Sequence, residues 1–262
     1  MPRRALLALL AAIVLIAPGV RAQNFGLSVY GAFDRVQMDR EDYVAAFFDS
    51  YNAYYTARLR SPMEPVAMTR QRPVAGVSFD MGVGAMQTHI FVETAFDAPQ
   101  TRTADLGSGL KNHLSVDVND LAFGTDLVFA IGPVSLGGTF AGIVRRSTIT
   151  FESEYADGRR SRGSEYVIHG RYTADNAFLE VGPTLGLSMG RLRVPVRLLF
   201  PVELGSDRTP LYDDDTYELN DYFPSDWDRY IRDTSGTDET NAIANRDFVG
   251  PRLQVGLAFR LL

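Results

Sequence analysis

The chain has 262 residues, 22% of them charged, and a formal net charge of −6. It contains no Cys, which excludes disulfides, thiolate metal sites and lipid attachment at a leader cysteine. The acidic balance argues against a nucleic-acid partner. No segment past the first twenty-odd residues holds the ~18 consecutive apolar residues that a spanning helix needs.

In chain order, residues 1–22 read as a secretory signal peptide. Arg3 and Arg4 form the positive start, Ala5 to Ala17 the apolar stretch, and Val20-Arg21-Ala22 the small-residue site before a cut at Gln23. Cleavage there removes three arginines and no acid, taking the charge from −6 to −9. Residues 23–262 remain as one domain. Their pattern is a series of alternating segments, apolar on one parity and polar or small on the other, as in strands with one face in each of two media.

Eight strands are predicted. The first covers Asn24 to Phe33, with Phe25, Leu27, Val29 and Phe33 alternating with Gly26, Ser28, Tyr30 and Ala32. The second, Val74 to Val83, sets Val77, Phe79 and Met81 against Gly76, Ser78 and Asp80, and a tight turn at Gly84 to Gln87 leads to the third, Thr88 to Phe96. The fourth ends with Leu121, Phe123, Leu127, Phe129 and Ile131 on one face. Upstream, Leu114, Val116 and Val118 have the opposite phase, which predicts a β-bulge near Asn119-Asp120. Gly132-Pro133 turns into the fifth, Val134 to Val144; the sixth carries Leu179 to Met189, and Gly190-Arg191 turns into the seventh. That seventh is the cleanest: Leu192, Val194, Val196, Leu198, Phe200 and Val202 against Arg193, Pro195, Arg197, Leu199, Pro201 and Glu203. The eighth sets Leu253, Val255, Leu257 and Phe259 against Arg252, Gln254, Gly256, Ala258 and Arg260.

Tight turns follow strands two, four and six. Long polar stretches follow the others: Asp34 to Arg72, Asp97 to His113, Thr150 to Asn176 and Gly205 to Arg246. Short turns on one side, long loops on the other and an even strand count describe an eight-stranded antiparallel transmembrane β-barrel. By pattern and topology residues 24–262 resemble the small eight-stranded outer-membrane barrels and are similar to the membrane domain of the OmpA family, without its peptidoglycan-binding domain. The resemblance implies a porin-like outer-membrane protein of the bacterial cell envelope, in contact with outer-membrane lipid and lipopolysaccharide. It also implies insertion by the barrel-assembly machinery, for which members end on an aromatic residue; this chain ends Phe259-Arg260-Leu261-Leu262.

The lumen parity carries Asp80, Glu93, Asp126, Glu180 and Glu203 together with Arg193, Arg197, Arg252 and Arg260. Bases on the last two strands facing acids on the earlier ones predict Arg–carboxylate pairs in a narrow interior. A filled polar plug and a selective pore are both consistent with them, and an eight-stranded bore favours the plug. His89 falls in the same network.

In the first loop Glu41 to Leu59 has helical spacing, with Tyr43, Phe47, Tyr51 and Tyr54 beside Val44, Phe48, Tyr55 and Leu59, and Asp39 or Asp42 as cap. Such a stripe packs over the barrel mouth, lies in the lipid interface or binds a partner. The last loop is acidic and aromatic, with Asp213, Asp214 and Asp215 after Tyr212, and Trp227 among Asp226 and Asp228. It lacks the spacing of a calcium loop, and no metal or cofactor is expected. Arg159, Arg160 and Arg162 surround an Asp157-Gly158 turn, placed to meet lipopolysaccharide phosphates or the acidic loop. His113-Leu114-Ser115 resembles the His-x-Ser pairing of outer-membrane lipid A deacylases, with no third partner fixed by the sequence. The expected role is therefore non-enzymatic: envelope structure, or surface adhesion and partner binding through the loops, to a partner the sequence does not name. A narrow channel for small solutes or ions is the alternative, and a lipid-modifying enzyme the third reading.

Overall fold

A computed structural model of the chain describes residues 24–37, 48–49, 51–67, 69–161, 170–202 and 249–261. The leader 1–22, Tyr43, Phe47, Arg162, Glu203, Asp213, Asp214, Asp215 and Trp227 lie outside the described residues.

Ten strands are described: β1 (Asn24–Gln37), β2 (Thr69–Val83), β3 (Met86–Ala95), β4 (Gln100–Asp105), β5 (Lys111–Ile131), β6 (Val134–Glu154), β7 (Arg160–Ser161), β8 (Gly170–Met189), β9 (Leu192–Val202) and β10 (Arg252–Arg260). Eight of them, β1, β2, β3, β5, β6, β8, β9 and β10, hydrogen-bond in a closed antiparallel ring, with β1 paired to β10 and β5 to β6. The short β4 and β7 pair only with the far ends of β5 and β6. Closure leaves no free edge in the ring, the condition for crossing a bilayer with strands.

The outward side chains form an apolar belt. Leu121, Leu127, Phe129 and Ile131 of β5 and Leu136, Phe140 and Val144 of β6 are exposed, as are Phe200, Leu257 and Phe259 on the far side. About ten strand residues tilted by ~40° give this belt a height of about 25 Å, the apolar thickness of a transmembrane barrel. The tight turns at Gly84-Ala85, Gly132-Pro133 and Gly190-Arg191 all lie at one end, each with its Gly at positive φ.

At the other end the sheet continues beyond the belt, and the predicted bulge is absent. β5 and β6 pair one to one from Lys111↔Glu154 to Ile131↔Val134 with no extra residue. Leu114, Val116 and Val118 are buried because they face inward on the same parity as Asp120, Ala122 and Asp126. The polarity reverses instead of the register. Above the belt the outward residues are polar (Arg146, Glu152, Glu154, Asp175) and the interior becomes apolar (Leu114, Val116, Val118, Ile149, Phe151, Tyr172). The strands therefore reach further into the predicted loops: β6 runs to Glu154, β8 starts at Gly170, and Asp97 to His113 contains β4.

This upper storey is a water-facing barrel end with its own core. Of the predicted Glu41–Leu59 helix, residues 48–49 and 51–54 are helical within the described residues, followed by turns to Arg58. They lie over the mouth: Phe48 and Tyr51 are buried in the apolar cluster with Met63 and Val66, and Tyr55 and Leu59 pack against it. Tyr54 stays exposed, edge-on to Tyr55.

If the belt faces lipid and the storey above it water, one substitution has two costs along the same strand face. Phe140→Arg is expected to lower unfolding stability in lipid vesicles by about 2–4 kcal/mol, whereas Thr150→Arg, outward but above the belt, should change it by less than about 0.5 kcal/mol. Guanidinium titrations of both variants, followed by the boiled-versus-unboiled gel shift, make the comparison.

Candidate functional site

The interior of the belt is small-residue wall and large buried ions. Arg70, Arg72, Arg145, Arg197 and Arg252 are among the largest fully buried side chains. Glycine makes room for them and for the rings they stack on. A Cβ at Gly76 would lie 2.6 Å from the Tyr30 ring, and one at Gly124 would lie 2.6 Å from Phe91.

Starting nearest the tight turns, Arg197 grips Asp126 with two nitrogens at 3.0 and 2.8 Å, and its Nη1 donates to Glu93 at 3.1 Å and to Gln254 at 2.6 Å. Its guanidinium lies 4.1 Å over the Phe91 ring, and Tyr30 donates to Glu93. Arg252 then joins Glu93 at 3.1 Å, Glu180 at 2.7 Å and Asp34 at 3.4 Å. Asp34 passes the connection to Arg72, whose nitrogens reach it at 3.1 and 2.8 Å and reach Asp120 at 2.7 Å. Arg145 closes the series on Asp120 with bonds of 2.7 and 2.6 Å. Above it Arg70 pairs with Asp97, which also accepts from the Val118 amide at 3.1 Å. Ions this deep are tolerated only because each carboxylate meets a guanidinium, and most of them meet several donors.

Of the residues singled out in the sequence, Glu93, Asp126, Glu180, Arg197 and Arg252 come together in this lattice. Asp80, Arg193 and Arg260 lie nearer the tight-turn mouth instead: Asp80 bonds His89 Nδ1 at 2.7 Å and Ser28 at 2.5 Å, and Arg260 donates to the Phe25 carbonyl at 3.1 Å. Asp34, Arg72, Asp120, Arg145, Tyr30 and Gln254 were not singled out. Their signal is parity: Asp34 follows Tyr30 and Ala32, and Asp120 precedes Ala122 and Asp126, all on the inward face.

The cap over the lattice is fixed by polar bonds as well as packing. Asn112 donates to the Tyr51 hydroxyl at 2.8 Å and accepts from Ser153 at 2.7 Å, and Asn52 brackets Met63 with bonds of 3.0 and 2.8 Å. Burial pushes the Tyr51 phenol above its ordinary range, so it stays protonated and bonded.

His113 and Ser115 share the outward face but bond elsewhere. His113 meets Thr103 at 2.8 Å and Glu154 at 3.0 Å, and Ser115 meets Thr101 at 2.7 Å. The His113 hydrogen bond, with Arg160 nearby, holds the Glu154 carboxyl below its usual range. The Asp157-Gly158 turn joins β6 to β7 with Gly158 at φ +78°. Its arginines are engaged locally, Arg159 with Asp157 at 2.5 Å and Arg160 with Glu154 at 3.2 Å.

No protein-family model matches this sequence, and no curated protein does. Among solved structures the chain is similar to the attachment invasion locus protein Ail of Yersinia pestis, in complex with the heparin analogue sucrose octasulfate, at 9% identity over 90% of this chain and 97% of that one (TM-score 0.40). It is also similar to Neisserial surface protein A, at 8% identity over 92% and 99% (TM-score 0.35). A major outer membrane protein from Thermus thermophilus matches at 10% identity over 89% and 99% (TM-score 0.36). The eight-stranded ring rests on its own hydrogen bonding.

Removing one member of the lattice strands its partners. Arg252→Met leaves Glu93 and Glu180 each short of a donor in the interior, and is expected to cost about 3–5 kcal/mol. Denaturant unfolding in the same vesicles reads the loss; a change under about 1 kcal/mol would mean that water enters and solvates the carboxylates.

Proposed function

We propose that this chain is a non-enzymatic outer-membrane protein whose lumen is plugged, and that its work is done by the end facing out of the cell. There it serves as an envelope structural element or binds a surface partner. The observation that carries this reading is the stacking of two obstructions: a buried Arg–carboxylate lattice inside the belt and an apolar core with its helical cap directly above it. An ion crossing the interior would have to part pairs of 2.6–3.1 Å and then traverse Phe151, Tyr172 and Tyr51. A closed barrel with short turns on one side and long connections on the other fits the bacterial outer membrane, reached through the leader and inserted by the assembly machinery, with the belt against lipid. The long connections then face outward and carry specificity.

Planar-bilayer recording tests the plug. The purified barrel is expected to show no regular conductance steps at moderate voltage. Steady openings whose size changes in Arg197→Gln would replace this reading with that of a narrow channel. For the His113–Ser115 pair, Ser115→Ala is expected to leave the lipid A species of overexpressing cells as they are with the unaltered protein. A deacylated species that vanishes in the variant would make the chain an enzyme.

A further inference from the structure

The tight-turn mouth holds a recess of about 230 Å³, walled by Ser28, Asp80, His89, Arg193 and Arg260 among others, on the tight-turn side of the Arg197–Asp126 pair. Among the described residues its lining carries one carboxylate, Asp80, beside Arg191, Arg193 and Arg260, the last of which bonds the Phe25 carbonyl. That carboxylate is already engaged at both oxygens, by Ser28 at 2.5 Å on Oδ2 and by Ser78 at 3.2 Å and His89 Nδ1 at 2.7 Å on Oδ1. Asp126 contributes little more, because Arg197 holds both its oxygens and Thr139 adds a bond of 2.8 Å. Arg193 approaches it only to 4.0 Å.

Among the described residues two polar atoms in this wall are buried without a partner: His89 Nε2, on a side chain 6% exposed, and one terminal nitrogen of Arg193. An unbonded buried donor or acceptor costs free energy, so a pair of them beside a positively charged recess points to a ligand or water that completes them. The chemistry of the two atoms differs. Arg193 offers N–H donors and positive charge. His89 directs Nδ1 at a carboxylate, so in the neutral ring Nδ1 carries the proton and Nε2 is left as an acceptor. A matching ligand must be anionic, present accepting oxygens to the guanidinium and bring one O–H of its own.

We propose that the recess at the tight-turn mouth binds a protonated oxyanion of the hydrogenphosphate class, its oxygens on Arg193 and its hydroxyl on His89 Nε2. Sulfate has the charge and the oxygens but no proton at neutral pH, and chloride has neither oxygens nor proton. The site is independent of what the outward loops bind.

The test uses the full mature chain, ¹⁵N-labelled and folded in detergent micelles, titrated with inorganic phosphate, sulfate or chloride at constant ionic strength. The His89 ring and Arg193 guanidinium resonances are followed. Phosphate is expected to shift both saturably, and sulfate to bind at least about tenfold more weakly, the loss expected for one hydrogen bond involving an ion. Arg193→Gln should weaken phosphate by about tenfold or more while keeping the heat-modifiable folded band. The milder Arg193→Lys keeps a charge facing Asp126 but loses the planar pair of donors, and should weaken it too. His89→Leu should abolish the preference for phosphate over sulfate. Shifts that do not saturate, equal binding of sulfate, or phosphate affinity unchanged in the folded Arg193 variants would overturn the proposal.

Discussion

Every strand of the ring puts at least one side chain into a single connected set of buried ions and their partners. Asp34 comes from β1, Arg72 from β2, Glu93 from β3, Asp120 and Asp126 from β5, Arg145 from β6, Glu180 from β8, Arg197 from β9 and Arg252 from β10. None of these pairs is local in sequence; Arg252 and Asp34 are 218 positions apart. The lattice therefore exists only when the ring is closed in one register. A slip of one residue in β9 would turn Arg197 toward lipid and Leu198 into the lumen, at a cost of about 2–4 kcal/mol for the arginine alone, and would leave Asp126 and Glu93 short of their main donor. Ion pairs of this kind add little net stability over a greasy filling, but they make wrong closures expensive.

The second constraint is that a strand keeps its parity as it passes from lipid to water. β5 and β6 do so over 21 residues each without a bulge. The two faces must exchange polarity at the boundary, and Asp120 and Arg145 sit where they do. Below them the wall is apolar outside and ionic inside; above them Val118 begins an apolar interior while Asn119 and Arg146 face outward. The upper storey then has a core that water would reach from the open top, and Phe48, Tyr51 and Met63 cover it.

That exchange explains what the sequence disclosed and what it hid. The ring strands and their tight turns were legible because an apolar/small alternation has one meaning inside a bilayer. Leu114, Val116 and Val118 misled because a change of phase in the apolar set has two causes, an inserted residue or a new medium, and a single strand read alone does not separate them. Only the partner strand does: β6 makes the same change at Ile149 and Phe151, directly across from Val116 and Leu114. The same ambiguity kept Asp34, Asp120 and Arg145 out of the expected lumen set, since they stand where the apolar rhythm stops: Asp34 read as the start of a loop, Asp120 as part of a bulge and Arg145 as past the end of its strand. Arg197 and Glu180 were legible because each lies between two plainly apolar outward residues, and Glu93, Asp126 and Arg252 because each keeps the inward parity of a strand whose outward face is apolar. The first-loop stripe gave Phe48 and Tyr51 a helical spacing, but whether it covers its own barrel or a partner depends on an apolar cavity below it, which alternation in the upper strands supplies.

A lumen filled with ions and a mouth filled with aromatics divide the molecule into two ends that share a wall and little else. The rim end is a ring of paired strands, β5 with β6 and β6 with β8, that continue above the lattice. The tight-turn end is an electropositive recess on an otherwise acidic chain, closed off from the rim by Arg197 and its carboxylates. Coupling between the ends would have to pass through pairs in which most carboxylates are held by more than one donor, so that moving one guanidinium strands another ion. Such a lattice is stiff in the sense that matters for function: it holds eight strands in one arrangement while either end changes its residues. Substitutions on the polar outward face of the rim strands, as at Glu152 or Asp175, thus leave the lattice in place, whereas those at Glu93 or Arg252 act on the whole barrel.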